Sequence, residues 1–280
     1  MRISLVGFGQ IGGSIARALR RPGADLGGEE PPEIVAWSPT GRGPMLALET
    51  DIVDEVAASL PAAIADADLV VLAAPPLACL ALVDELGGPL RDVLAPGAVV
   101  TDVASTKATI VARAAERGLP FVGGHPMAGR ELAGYGAAAD DLFVDRPWVL
   151  VGAAGRLDDA ARVEWLARAC GARPLVMDAR VHDEAVAAIS HLPLVSSVAL
   201  VEAVTGALAG DGGGAGSWQT AAPLAAGGWA SATRLAMGDP TMGAGILATN
   251  AAPVARRIRD LQAALDSWLA ELEAPDGPDP

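Results

Sequence analysis

The chain has 280 residues, enough for one large or two modest domains. Apolar residues make up 51% against 19% charged, which excludes a disordered chain and supplies material for a core. Twenty basic residues against 34 acidic ones leave a net charge of −14, the wrong sign for a nucleic-acid partner. The mean hydropathy of +0.36 raises the question of a membrane span. The run from Ala185 to Val201 is interrupted by His191, Pro193 and three serines, and the run from Gly212 to Thr233 by glycines. Neither reads as the ~20 mostly apolar residues a spanning helix wants, so no membrane partner is expected. Ile3 to Val6 already reads as a strand, which leaves no room for a targeting segment and points to the cytoplasm. Cys79 and Cys170 have no metal or disulfide spacing and read as core.

The elements fall into two regions, residues 1–178 and 179–280. In the first, short apolar runs at Ile3–Val6, Ile34–Trp37, Leu69–Ala73, Ala98–Thr101, Pro120–Val122, Trp148–Val151 and Pro174–Met177 lack polar alternation, as strands buried on both faces of a parallel sheet do. Helical stretches at Ile11–Arg21, Leu77–Leu86, Lys107–Glu116 and Asp158–Cys170 lie between them. That predicts an α/β, doubly wound Rossmann-type domain. After Asp178 the strand signals stop. Arg180–Leu208, Trp218–Met237 and Asn250–Leu272 read as long helices, with Gly210–Gly216 as a flexible link or lid. They are apolar around much of their circumference, so a second copy of the chain is expected to cover part of them in a homodimer.

Gly7-Phe8-Gly9-Gln10-Ile11-Gly12 follows the first strand and opens the first helix. Its glycines suit a tight turn, close approach of a pyrophosphate and close helix–strand packing, with the phosphates at the helix N-terminus. At the end of the second strand, where an NAD-binding domain places an acid on the ribose, stand Trp37-Ser38-Pro39-Thr40-Gly41-Arg42. With no carboxylate to repel a 2′-phosphate and with Ser38, Thr40 and Arg42 to hydrogen-bond it, NADP is read in preference to NAD. Ala74 and Pro75, after the third long strand, lie at the edge where the cofactor runs.

His125, in GGHPMAGRE just after a strand at that same edge, is the candidate general base. Ser105 and Lys107, in DVASTK, open a helix there; Ser105 reads as an N-cap or as a group orienting a substrate hydroxyl. From Val181 to Ala255 the only arginine or lysine is Arg234, set in an Ala-rich helix, either a surface residue or a carboxylate binder. His182 and His191, nine residues apart, fall on opposite sides of one helix. His191 is taken as a substrate-pocket residue and His182-Asp183 as the start of that helix.

GFGQIGGS, DVASTK, GGHPMAGRE and HDEAVAAISHLP, followed by Ala232-Thr233-Arg234 and Asp239-Pro240-Thr241-Met242, resemble the prephenate/arogenate dehydrogenase family of tyrosine biosynthesis through nearly the whole chain. The resemblance implies oxidative decarboxylation: the C4 hydroxyl of prephenate or arogenate gives its proton to His125, C4 hydride passes to a nicotinamide, and CO₂ leaves C1. It places Ser105 near the substrate hydroxyl, Arg234 on a carboxylate, Thr233 among the substrate-binding residues, and Glu131 at the mouth of the site. Leu194 stands where many members have a second histidine, which leaves prephenate against arogenate open. A hydroxyacid dehydrogenase would want a lysine in the helical region, and Lys107 is the last one. A non-catalytic NADP sensor of the same fold is the other alternative.

Overall fold

The computed structural model describes residues 1–129, 132–152, 157–206 and 218–274. The chain begins β1 (Arg2–Val6), α1 (Gln10–Arg20), β2 (Glu33–Trp37), α2 (Arg42–Leu48), β3 (Glu55–Val56) and α3 (Leu60–Ile64). It continues with β4 (Leu69–Leu72), α4 (Pro76–Leu86), β5 (Val99–Asp102), α5 (Ala108–Glu116) and β6 (Phe121–Pro126). β7 (Pro147–Val151), α6 (Leu157–Ala169) and β8 (Arg173–Val176) complete one sheet of order β3-β2-β1-β4-β5-β6-β7-β8. The strand order reverses between β1 and β4, and in sheets wound this way the ligand crevice opens at that point, beyond the strands' C-terminal ends.

Period-two alternation sends successive side chains to two separate cores. Ile3, Leu5, Leu69 and Val71 join Ile15, Trp148 and Leu166 in one. Val6, Val70 and Leu72 join Cys79, Val83 and Ile110 in the other. Both cysteines are free and buried, and burial pushes the Cys79 thiol up to about 12, which keeps it unreactive.

Two expectations for this sheet need correction. β7 runs antiparallel to β6, with Gly123 opposite Val151 and Pro126 opposite Trp148. A doubly buried strand looks the same in either direction; the missing crossover helix between these two runs was the signal for a return stroke. β8 is not buried: it forms the sheet edge, and Val176 is 76% exposed. The short elements α2, β3 and α3 carry too few residues to show a period and were not foreseen.

The helical region contains α7 (Ala179–Val186), α8 (Leu192–Thr205), α9 (Trp218–Ala221), α10 (Gly227–Thr233), α11 (Pro240–Thr249) and α12 (Ala251–Leu272). A π-turn over Ala187–His191 joins α7 and α8 into one run of 27 residues. By length and composition alone that run is apolar enough to cross a membrane, contrary to the reading of its histidine and proline as interruptions. The expected helix over Trp218–Met237 is broken at Pro223 and at Gly227-Gly228 into short α and 3-10 pieces. α11, read only as a motif, is a helix N-capped by Asp239, whose carboxylate accepts from Thr241 N at 2.8 Å. The connector Gly210–Gly216 lies outside the described residues.

The two regions meet through polar contacts and close packing at the crevice. Thr106 and Thr249 share a 2.8 Å hydroxyl contact, and Thr109 donates to the Thr249 carbonyl. A Cβ on Gly245 would come within 3.1 Å of Pro76, so α11 lies directly against the start of α4.

Candidate active site

The glycine-rich turn has the geometry a pyrophosphate needs. Gly7 has φ +98°, and a Cβ there would stand 2.3 Å from the Ala73 carbonyl oxygen, so only glycine fits. Gly12 is buried, its absent Cβ 2.4 Å from the Gly7 oxygen, which sets α1 close against the turn. Above Gly9 nothing lies within 4 Å, leaving the backbone open to an approaching phosphate. Gly9, Gln10, Ile11, Ala74 and Pro75 line a cavity of about 350 Å³ with Val103 and Ala104. Phe8 turns away and packs on Tyr135, ring centroids 5.3 Å apart. At the end of β2, Ser38 accepts from Gly41 N at 3.2 Å, while Thr40 and Arg42 are exposed. These residues and the open turn fit a dinucleotide.

His125 sits at the end of β6, held from below and from the side. Below it, Asp102 at the tip of β5 accepts from Gly124 N and Ala104 N and forms an ion pair with Lys107; both charged side chains are fully buried. Removing one partner of such a pair typically costs about 3–5 kcal/mol. β6 can lie this close only as Gly123-Gly124, since a Cβ on Gly124 would reach 2.5 Å from the Asp102 carbonyl.

From the side, His125 Nδ1 is 2.8 Å from His182 Nε2, and His182 Nδ1 is 2.8 Å from Asp183 Oδ1. Asp183 also accepts from Lys107 N and Ala108 N, both at 2.8 Å, and so caps α5 from the other domain. A carboxylate can only accept here, so His182 donates from Nδ1, and in the neutral ring Nε2 is then the acceptor. His125 must then donate from Nδ1, which leaves its own Nε2 unprotonated. The chain of acceptors therefore selects the tautomer a general base needs. Burial, with His182, Lys107 and His191 nearby, holds the His125 imidazole well below its ordinary 6.5, so it is neutral at physiological pH.

This arrangement corrects the sequence reading of His182-Asp183. The helix start is fixed by Asp178, whose carboxylate accepts from Arg180 N and Val181 N. Nor are His182 and His191 held in simple opposition, because the π-turn between them widens the helix. Asn250 Nδ2 donates to the Asp183 carbonyl and reaches His191 Nδ1 at 3.1 Å. Sequence reasoning missed His182, Asp183 and Asn250 as site residues. The usable signal was His182, Asp183 and Glu184, three adjacent titratable residues at the head of a long apolar run.

Two further cavities complete the site. One, of about 610 Å³, is lined by His125, Met127, Asp141, Arg146 and Ser190 among others. The other, of about 360 Å³, holds Arg234 with Ile189, Ser190, Leu194 and Met242. Ser190 borders both, and Gly238, Asp239 and Met242 border both the Arg234 cavity and the dinucleotide cavity. The three cavities therefore adjoin through shared wall residues. Arg234 opens a 3-10 turn and is exposed on the wall of its cavity, not buried in a helix.

The remaining predicted residues fall as follows. Ser105 is not a cap: its Oγ is buried and has no hydrogen-bond partner among the described residues, and it lines none of the three cavities. His191 is 1% exposed and borders neither substrate cavity; burial lowers it to about 4, and its Nε2 has no partner among the described residues. Its neighbour Ser190 borders both instead. The Thr233 hydroxyl is spent on the Trp229 carbonyl at 2.8 Å. Glu131 lies outside the described residues.

A doubly wound sheet, a glycine turn open to phosphate and a tautomer-fixed histidine on adjoining cavities define a dinucleotide-dependent dehydrogenase. The chain belongs to the prephenate dehydrogenase family: residues 15–173 match its nucleotide-binding domain and residues 178–279 its dimerization domain. It is 30% identical over 282 residues to the prephenate dehydrogenase of Bacillus subtilis, covering 97% of this chain and 68% of that protein. Among solved structures, Synechocystis arogenate dehydrogenase is 30% identical with a TM-score of 0.75, covering 97% of this chain and 92% of that one. Prephenate dehydrogenase from A. aeolicus, solved with hydroxyphenyl propionate and NAD⁺, is 26% identical with a TM-score of 0.81, covering 97% and 90%.

Proposed function

We propose that the chain catalyses the NAD(P)-dependent oxidative decarboxylation of prephenate to 4-hydroxyphenylpyruvate, a step of tyrosine biosynthesis. The observation that carries this reading is the adjoining of three cavities that bring together a dinucleotide cleft, an exposed arginine and a neutral histidine whose Nε2 is unprotonated. Gly7, Gly9, Gly12 and the start of α1 hold the cofactor, which when bound accepts the hydride from C4. His125 Nε2 takes the C4 hydroxyl proton, and by family resemblance the Ser105 hydroxyl orients that oxygen. The C1–carboxylate bond pair then enters the ring as CO₂ departs, and the phenol oxygen recovers a proton. Aromatisation makes the step effectively irreversible.

Arg234 binds a substrate carboxylate, with Ser190 alongside. Glu131 and Thr233 stay assigned to the substrate side by family resemblance, and His191 supports the pocket from behind. Arogenate is the second reading. Leu194, on the Arg234 cavity where many relatives have a histidine, leaves the choice between the two substrates open. Incubation of prephenate and of arogenate with each cofactor, followed at 340 nm, tests both; no turnover with either substrate defeats the proposal.

For the cofactor, NADP is preferred on the strength of Ser38, Thr40 and Arg42. No carboxylate occupies positions 37–42, and Arg42 is exposed at the start of α2. Replacing Arg42 by Ala lowers the NADP-over-NAD ratio of kcat/KM by about tenfold, the scale of one charge-assisted hydrogen bond. An unchanged ratio removes Arg42 from 2′-phosphate binding.

Residues 1–178 serve the cofactor, and residues 179–280 complete the substrate site and form a homodimer. Val198 and Leu200 on α8 are exposed, as are Leu265, Trp268, Leu269 and Leu272 along one stripe of α12. A second copy covers these faces. Placement in the cytoplasm, with neither membrane nor nucleic-acid partner, belongs to the same proposal.

A further inference from the structure

We infer that Arg146 is a second substrate-binding cation and holds the ring carboxylate, the one lost as CO₂; this rests on the oxidative-decarboxylation reading above. The substrate is an anion with two carboxylates if prephenate, and the protein carries a net charge of −14, so cations must be supplied locally. Among the described residues, Arg146 and Arg234 are the only lysine or arginine side chains lining the two substrate cavities. Arg146 is exposed, and no ion pair or side-chain hydrogen bond engages it among the described residues.

Its backbone, by contrast, is fixed. Arg146 N donates to the Phe143 carbonyl at 2.9 Å, and its own carbonyl accepts from Arg173 N at 2.8 Å. It directly precedes β7, whose first residue, Pro147, accepts from Met127 N at 2.8 Å. The ladder that carries His125 therefore also delivers Arg146 to the same cavity.

Reach assigns the carboxylate. With the C4 hydroxyl at His125, the ring carboxylate, bonded directly to C1, stays within the His125 cavity. The side-chain carboxylate lies further along the substrate, past Ser190 and into the Arg234 cavity. Arogenate carries the same ring carboxylate, so the assignment holds for either substrate.

The test compares wild type, Arg146→Gln and Arg146→Lys with whichever of the two substrates wild type turns over. It adds competitive inhibition by that substrate's own aromatic product, which retains only the side-chain carboxylate. Arg146→Gln is expected to raise KM by about tenfold or more with kcat nearly unchanged, since the contact is made in the ground state. Arg146→Lys recovers part of the loss, and the product inhibition constant stays at the wild-type value in both. An unchanged KM in both variants, or a product constant that rises in step with KM, overturns the assignment. Failure of wild type to turn over either substrate is a separate result and strikes the functional reading instead.

Discussion

Asparagine in place of His125 lowers kcat by roughly 10²–10⁴, the usual worth of a positioned general base, while cofactor affinity stays near wild type. Asparagine keeps a polar group beside His182 but cannot accept a proton at neutral pH. Cofactor binding is spared because the glycine turn and α1 do not touch the imidazole. The pH dependence of wild type carries the same signature. A base works only when unprotonated, and activity falls as pH drops through its pKa. Burial and the neighbouring His182, Lys107 and His191 hold His125 well below 6.5. The acid limb of kcat/KM that belongs to His125 therefore lies well below 6.5. Steady-state rates across pH, with binding of the oxidised cofactor measured separately, check both statements. Unaltered turnover in the variant removes His125 from the chemistry.

Glutamine in place of Arg234 acts on KM. A carboxylate held by a guanidinium is held in ground and transition states alike, so its loss weakens binding more than it slows the bond-breaking steps. Hydrogen bonds to charged groups are worth about 1.5–3 kcal/mol, which corresponds to a rise of roughly 10- to 150-fold in KM. Because Arg234 is solvent-exposed on the cavity wall, the protein has no buried charge to lose there, and the melting temperature should not move. Substrate saturation curves together with a thermal melt separate the two effects. An unchanged KM returns Arg234 to the role of a surface residue.

Much of the cofactor half was legible in the sequence because its signals are local. The Gly7–Gly12 turn needs glycine for steric reasons that its own neighbours impose, and β1 and α1 flank it directly. The long strands showed as unbroken apolar runs, but the direction of β7 did not. Direction is decided by the connection, and the 20 residues between Pro126 and Pro147 signal an antiparallel return only by the crossover helix they lack. His125 was found from its place at a strand end.

What activates His125 was not legible. His182 and Asp183 lie 57 and 58 positions away and reach it only because α7 packs across the start of α5. Helical geometry at 100° per residue also failed locally, since a single π-turn between His182 and His191 is invisible to any fixed period. Arg146 was not legible because only the antiparallel return of β7, which the strand's own residues do not reveal, brings it back to the site.

The most direct test of the account is stoichiometry in a single wild-type turnover experiment. Reduced cofactor, CO₂ and the aromatic product are measured together from one sample of prephenate or arogenate. The account predicts equal amounts of all three, because hydride loss from C4 and loss of the C1 carboxylate belong to one reaction. Reduced cofactor formed without matching CO₂ and aromatic product would contradict it.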